Sequence, residues 1–236
     1  MADKPDKNIH KMISERIKEW ESGKSKYDTK TRSGESKTAL PGLVVTISRE
    51  AGCNGNAVAE MLSAKLGLAL YDRKIVELIA KDREVATRVV STLDEKGHSE
   101  LMNWIGETLM DSNLSSISYI KSLKRVLFTI VAHGNAVIVG RGGNLLVPPE
   151  KRIAIRLVAP LEKRVENVMQ QAGYTEKRAR TFIAKIENER RQFIKKYMEK
   201  DIDDPLLNDV VINMATVMPE AVVHIVKSIY ENGAVA

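Results

Sequence analysis

Short apolar runs alternate with amphipathic stretches over most of this chain. The apolar runs are rich in β-branched residues and lie at 43–48, 68–71, 136–139, 153–158 and 210–212. Runs of this length and composition predict buried strands. Between them, apolar residues recur at three- and four-residue steps, which predicts helices at 57–66, from Asp72, over the whole of 84–133, at 161–171, at 175–200 and from Pro219. Short strands separated by helices indicate a three-layer α/β fold around a central parallel sheet.

The first 40 residues have a different pattern, so we predict a polar N-terminal extension at 1–40 and one main domain at 41–236. The extension contains one helical stripe, made of Ile9, Met12, Ile13, Ile17 and Trp20. Residues 22–40 are nearly free of large apolar side chains, which is typical of a linker. The stripe is expected to dock on the main domain or on a second subunit, in which case the helix forms a homodimer. The alternative is a loosely held arm.

Composition narrows the class of protein. A chain of 236 residues with one cysteine, Cys53, cannot be a disulfide scaffold, and it is long enough to bury a core without metals. No Cys/His cluster has the spacing of zinc ligands, so no metal-ligating residue is predicted. The sequence contains neither an apolar run of membrane-spanning length nor a signal-peptide pattern at its start. We therefore expect a cytoplasmic protein with no membrane partner.

The positive charge is concentrated in one segment. The net charge is +6, yet residues 151–200 alone hold 14 Lys and Arg against 6 Asp and Glu, so the rest of the chain is slightly acidic. A basic block beside a nucleotide site would act as a phosphate clamp. An RNA-binding role for the block is disfavoured because the aromatic residues that could stack on bases are sparse there: Tyr174, Phe182, Phe193 and Tyr197.

The loop after the first predicted strand is the first candidate for chemistry. In parallel α/β folds ligands bind at the carboxyl ends of strands, and a glycine-bearing turn into a helix offers backbone N–H groups to phosphate. The alternative is that the glycines serve backbone geometry alone. The candidate phosphate-binding residues are Ser48, Gly52, Cys53, Asn54, Gly55, Asn56 and Ala57.

Five segments in order carry a family resemblance: VTISREAGCNG (45–55), VIVGRGGN (137–144), APLEKR (159–164), ENER (187–190) and NDVVIN (208–213). Together they resemble the cytidylate kinase-like family of P-loop proteins. The resemblance covers roughly 43–229, and it implies a nucleoside monophosphate kinase fold with a phosphate loop, a helical acceptor region and a basic helical lid. The activity it implies is transfer of the γ-phosphoryl group of ATP, with Mg²⁺, to an acceptor that in typical members is CMP or dCMP.

The phosphate loop departs from the usual Gly-x-x-x-x-Gly-Lys-Ser/Thr pattern. Gly55 stands at the Lys position, and Asn56 and Ala57 follow where a hydroxyl would bind Mg²⁺. Arg49 could replace the missing charge, because a guanidinium grips phosphate oxygens with two hydrogen bonds. The candidate catalytic residues are Arg49, Arg141 and the lid residues Arg190 and Arg191. For Arg141 and the lid arginines, the alternative is a solvated surface charge.

The resemblance also suggests acceptor-binding residues, which are Asp72, Arg73, Arg141 and Arg164. Asp72 could equally serve as the N-cap of its helix, and Arg164 could belong to a solvated helix face. Two positions that contact CMP in typical members are Arg190 and Phe193 here, which puts CMP specificity in doubt.

Two functions therefore stay open. The first is a phosphotransferase whose partners are a nucleotide and a small phosphorylated acceptor. The alternative, favoured by the altered loop and lid, is a catalytically impaired nucleotide-binding sensor or scaffold.

Overall fold

The structure is a computed structural model that describes residues 7–22, 42–107 and 114–233. Its strands are β1 (Val44–Arg49), β2 (Ala69–Tyr71), β3 (Ala136–Val139), β4 (Ile153–Val158) and β5 (Val210–Asn213). Its helices are α1 (Lys7–Glu21), α2 (Gly55–Leu66), α3 (Arg73–Lys81), α4 (Arg83–Val90), α5 (Glu95–Glu107), α6 (Leu114–His133), α7 (Gly143–Leu146), α8 (Leu161–Ala172), α9 (Glu176–Met198) and α10 (Pro219–Glu231). In the described part of the chain, no helix combines the length and the apolar character needed to cross a membrane.

The five strands form one parallel sheet in the order β2-β3-β1-β4-β5. One face of the sheet packs against α2 and α10, and the other packs against α1, α3 and α6. The predicted α/β fold with a central parallel sheet is thus confirmed. Because all strands are parallel, their carboxyl ends meet at one edge, where the loops after β1 and β3 lie side by side.

Three local predictions are refined by capping and pairing. The first strand extends to Arg49, which pairs in register with Leu157 of β4. The described residues between 84 and 133 are helical except for a break after Val90, where the Asp94 carboxylate accepts a hydrogen bond from Gly97 N–H and begins α5. Asp72 caps α3, since its carboxylate accepts from Ile75 N–H at 2.9 Å.

Helix α1 docks on the body of its own chain. Ile13 and Ile17 are buried in the same cluster as α3 and α6, and Trp20 stacks on the His133 ring at 4.3 Å. This confirms docking as opposed to a loose arm. Because part of the apolar stripe is buried against the same chain, less apolar surface is left on α1 for a second subunit. A homodimer through α1 stays a prediction. The predicted linker lies almost wholly outside the described residues, and the boundary near residue 40 also stays a prediction.

Candidate functional site

A cavity of about 160 Å³ opens at the carboxyl ends of β1 and β3, beneath helix α9. Four arginines line it, which are Arg49, Arg73, Arg141 and Arg190. Ser48, Asn144 and Glu189 add further polar atoms, and the apolar wall consists of Leu145, Phe193, Ile194, Ile202 and Leu207. The cavity therefore pairs a dense group of cations with an apolar wall.

Arg49 crosses the cavity in a slot between two glycines. A Cβ atom at Gly55 would lie 2.8 Å from Cγ of Arg49, and one at Gly140 would lie 2.5 Å from its Nη1. Both separations are too short for a real side chain at these positions. Gly55, the position of the usual loop lysine, is thus small because the Arg49 side chain runs beside it.

The cations crowd one another electrostatically. Burial and, after it, the charge of Arg190 lower the pKa of Arg49 to about 9. Burial also lowers the pKa of Arg190, whose Nη1 donates to the Arg49 carbonyl oxygen at 2.7 Å. The Glu187 carboxylate lies 3.9 Å from Nη1 of Arg190 and compensates its charge only in part, so the two neighbouring guanidinium groups together favour an anionic ligand.

Arg141 is held firmly at the end of β3. Its Nη2 donates to the Glu77 carboxylate of α3, and its guanidinium lies 4.7 Å from the centre of the Phe193 ring. The side chain is 14% exposed, so it is not a solvated loop charge. Its Nε is buried without a hydrogen-bond partner among the described residues, a donor that a ligand oxygen could satisfy.

The loop between β1 and α2 contacts α8 and α9. Ala51 N–H donates to the Glu187 carboxylate at 2.5 Å, and Asn167 and Gln171 of α8 donate to Gly52 and Asn54. Of the seven candidate phosphate-binding residues, Ser48 lines the cavity, whereas the other six, from Gly52 to Ala57, lie outside its lining.

Cys53 and the helix start complete the loop. Cys53 is fully buried, and burial raises the pKa of its thiol to about 11, so the thiol stays neutral. Asn56 and Ala57 are exposed in the first turn of α2.

The other predicted acceptor and lid residues divide into two groups. Arg73 reaches the cavity, with Nε 3.9 Å from Glu77. Arg164 lies outside the lining. Its Nε is 3.4 Å from Oε2 of Glu50, and its Nη1 is 3.7 Å from Oε1 of Glu187. Arg191 is also outside, 51% exposed and paired with Asp203. The structure therefore brings together Arg49, Arg73, Arg141 and Arg190, and it leaves Asp72, Arg164 and Arg191 in structural contacts.

Sequence reasoning missed Arg156, a buried arginine in β4. Its Nη1 donates to Ser48 Oγ at 2.9 Å and its Nη2 to Asp203 Oδ1 at 2.7 Å. The signal was present, because a single charge inside the apolar run Ile153–Val158 is rarely buried without a partner. Glu187 belongs to the ENER segment, and its contact with Ala51 N–H leaves no signal in the sequence.

The described residues do not fit a magnesium site held by the protein. Among them no group of three or more His, Cys, Asp or Glu side chains is placed to hold a metal ion. The first turn of α2 offers no hydroxyl at positions 56 and 57, and the Ser48 hydroxyl oxygen already accepts from Arg156.

Comparisons with known proteins identify the family. An uncharacterized protein from Eubacterium ventriosum has a similar structure, with a TM-score of 0.56 and 20% identity over 80% of this chain and 98% of that one. Shikimate kinase from Bacteroides thetaiotaomicron gives a TM-score of 0.41 and 12% identity over 80% and 98% of the two chains. No curated protein sequence matches. The model of the cytidylate kinase-like family matches residues 44–216, which confirms the resemblance seen in the five segments, and the chain belongs to that family.

Proposed function

We propose that this protein is a phosphotransferase that moves the γ-phosphoryl group of ATP to a nucleoside monophosphate or a related small phosphorylated acceptor. Membership of the cytidylate kinase-like family supports a nucleotide kinase-like function. The observation that carries the proposal further is the path of Arg49. Its side chain fills the space beside Gly55, so its guanidinium can supply the charge that the loop lysine supplies elsewhere.

Phosphoryl transfer requires the protein mainly to position the two substrates and to stabilise negative charge. An acceptor oxygen attacks the γ-phosphorus as the bond to the β–γ bridging oxygen breaks, and ADP leaves. Negative charge on the transferring group is best stabilised by preorganised donors in a site that excludes water. We assign Arg49 and Arg190 to the ATP phosphates, and Arg73 and Arg141 to the acceptor. Helix α9, which carries Arg190, serves as the lid.

ATP is proposed to enter as its Mg²⁺ complex. The protein's own residues do not fit a dedicated magnesium site, so no step is assigned to the metal ion. A cytoplasmic location, where ATP is supplied, belongs to the same proposal.

The acceptor is proposed to be recognised mainly through its anionic group. One face of Phe193 lies under the Arg141 guanidinium, so that face cannot stack on a base. Phe193 also replaces a CMP-contacting arginine of typical family members, which argues against a preference for CMP.

The second candidate is a nucleotide-binding sensor or scaffold without transfer activity. It is favoured by one contact, in which Ala51 N–H of the loop is already bonded to the Glu187 carboxylate. A loop N–H engaged by the protein is not available to phosphate until α9 moves.

A coupled ADP-release assay with Mg–ATP and a panel of nucleoside monophosphates tests the proposal. We expect turnover with at least one acceptor, and a loss in kcat/KM of about 100-fold in Arg141→Met, since a preorganised cation is removed from the transition state. The control is Arg88→Met, which removes an exposed arginine of α4 and should change kcat/KM by less than about twofold.

The outcomes separate the two candidates. Tight ATP binding with no turnover for any acceptor supports the sensor. If neither ATP nor GTP binds at millimolar concentration, both candidates are wrong.

A further inference from the structure

We propose that Arg156 is a positioning residue that directs the hydroxyl of Ser48 onto a bound phosphoryl group. This inference rests on the proposed function, and it assigns a role to a residue outside the cavity lining. It also links Ser48 to the lid helix α9 through the carboxylate of Asp203.

The first step is the register of the sheet. Ser48 of β1 and Arg156 of β4 are paired neighbours on adjacent parallel strands, so their side chains project from the same face. Arg156 is 4% exposed, and its Nη1 donates to Ser48 Oγ at 2.9 Å. The arginine is therefore close enough to fix the rotamer of the serine.

The second step concerns the direction of the hydroxyl proton. A guanidinium has donors only, so in this contact Ser48 Oγ must be the acceptor. The Ser48 O–H bond then points away from Arg156. Because Ser48 lines the four-arginine cavity, that hydrogen is available to an anionic oxygen bound there. Donation from a cation also polarises the hydroxyl and strengthens it as a donor.

The third step is the shared carboxylate. Asp203 Oδ1 accepts from Nη2 of Arg156 at 2.7 Å, and Asp203 Oδ2 accepts from Nη2 of Arg191 at 3.0 Å. Arg156 belongs to the sheet, whereas Arg191 belongs to α9. The Asp203 carboxylate thus connects the lid helix to the arginine that orients Ser48.

The chain contains a matched control. Arg152 directly precedes β4, is 7% exposed, and pairs with Asp209 while donating to the Val147 carbonyl. It is as buried and as well paired as Arg156, but it lies at the amino end of the strand, away from the cavity. Loss of a buried ion pair is therefore common to both positions, and contact with Ser48 is specific to Arg156.

The experiment measures ATP affinity by calorimetry and thermal unfolding for the wild type, S48A, R156M, the S48A/R156M double variant and R152M. We expect S48A and R156M each to lose about tenfold in ATP affinity, as for a hydrogen bond to a charged group. The loss of ATP affinity in the double variant should not exceed the larger of the two single losses, because both substitutions remove the same contact. R152M should lower the unfolding temperature while its ATP affinity stays within about twofold of the wild type.

Several results overturn the inference. It is wrong if R156M binds ATP like the wild type, if the losses of the single variants multiply in the double variant, or if R152M weakens binding as much as R156M. Should R156M not fold, R156K is the replacement, because it keeps a cation in place. We expect R156K to bind ATP more weakly than the wild type but to retain part of the affinity. In the S48A variant, adding R156K should cause no further loss of ATP affinity. A loss of the same size on both backgrounds contradicts the inference.

Failure of the inference differs from failure of the proposed function. If the wild type binds ATP and S48A weakens it but the Arg156 variants do not, the inference alone falls. If the wild type does not bind ATP, the proposed function and the inference fall together.

Discussion

Arg49 and Arg190 place two partly buried positive charges side by side. Burial lowers the pKa of both, and for Arg49 the charge of Arg190 adds to the effect. This arrangement costs stability, as binding sites often do, and a bound polyanion relieves the cost. In the proposed function, the same two charges are the source of affinity for phosphate.

The depressed pKa of Arg49 leads to a pH dependence of binding. Its value of about 9 in the folded protein means that Arg49 is charged at neutral pH and loses its proton as the pH rises past 9. A bound anion favours the charged form, so ATP binding is coupled to proton uptake near that pH. We expect calorimetry to show constant ATP affinity from about pH 7 to about pH 8 and a decrease above about pH 9.

The stability of the folded protein depends on pH in the opposite direction to ATP affinity. The unfolded chain holds the Arg49 proton to higher pH than the folded one, so in the absence of ligand this group makes the folded state more stable as the pH rises above 9. In Arg49→Met the pH dependence of ATP affinity should disappear. An affinity of the wild type that is unchanged up to about pH 10 would contradict this assignment.

At the scale of elements, helix α9 brings both an attractive and a competing charge to the β1–α2 loop. Arg190 donates to the Arg49 carbonyl, while Glu187, three residues earlier, accepts from Ala51 N–H. The docked helix thus contributes a cation that favours phosphate and a carboxylate that occupies a loop donor. Nucleotide binding near this loop must displace or accommodate Glu187.

Neutralising Glu187 should therefore tighten nucleotide binding. In Glu187→Gln the negative charge near the loop is lost while the size of the side chain is kept, and we expect ATP affinity to rise by about three- to tenfold in a calorimetric titration. Glu176→Gln is the control, since Glu176 is an exposed residue of the same helix that pairs with Arg180. Weaker ATP binding in Glu187→Gln than in this control would show that Glu187 assists the ligand.

At the scale of the whole molecule, the sequence predicted the sheet and part of the site for one reason. The apolar strands are continuous in the chain, and Arg49 and Arg141 stand at their carboxyl ends, so local pattern was enough to place them at one edge. The contacts that distinguish Arg190 from Arg191, and that remove Arg164 from the cavity, depend on Glu187, Glu50 and Asp203. Such pairings between distant segments leave no periodic signal in a single sequence.

ATP titration of Arg49→Met by calorimetry, beside the wild type and Arg88→Met, is the most direct test that Arg49 replaces the loop lysine. Arg49→Met keeps the apolar stem of the side chain but removes the guanidinium from the slot between Gly55 and Gly140. We expect its ATP affinity to fall by roughly 10- to 100-fold, the range for a hydrogen bond to a charged group, with Arg88→Met unchanged. A wild-type affinity in Arg49→Met, with the fold intact by thermal unfolding, would contradict the assignment of this cavity to the phosphates of ATP.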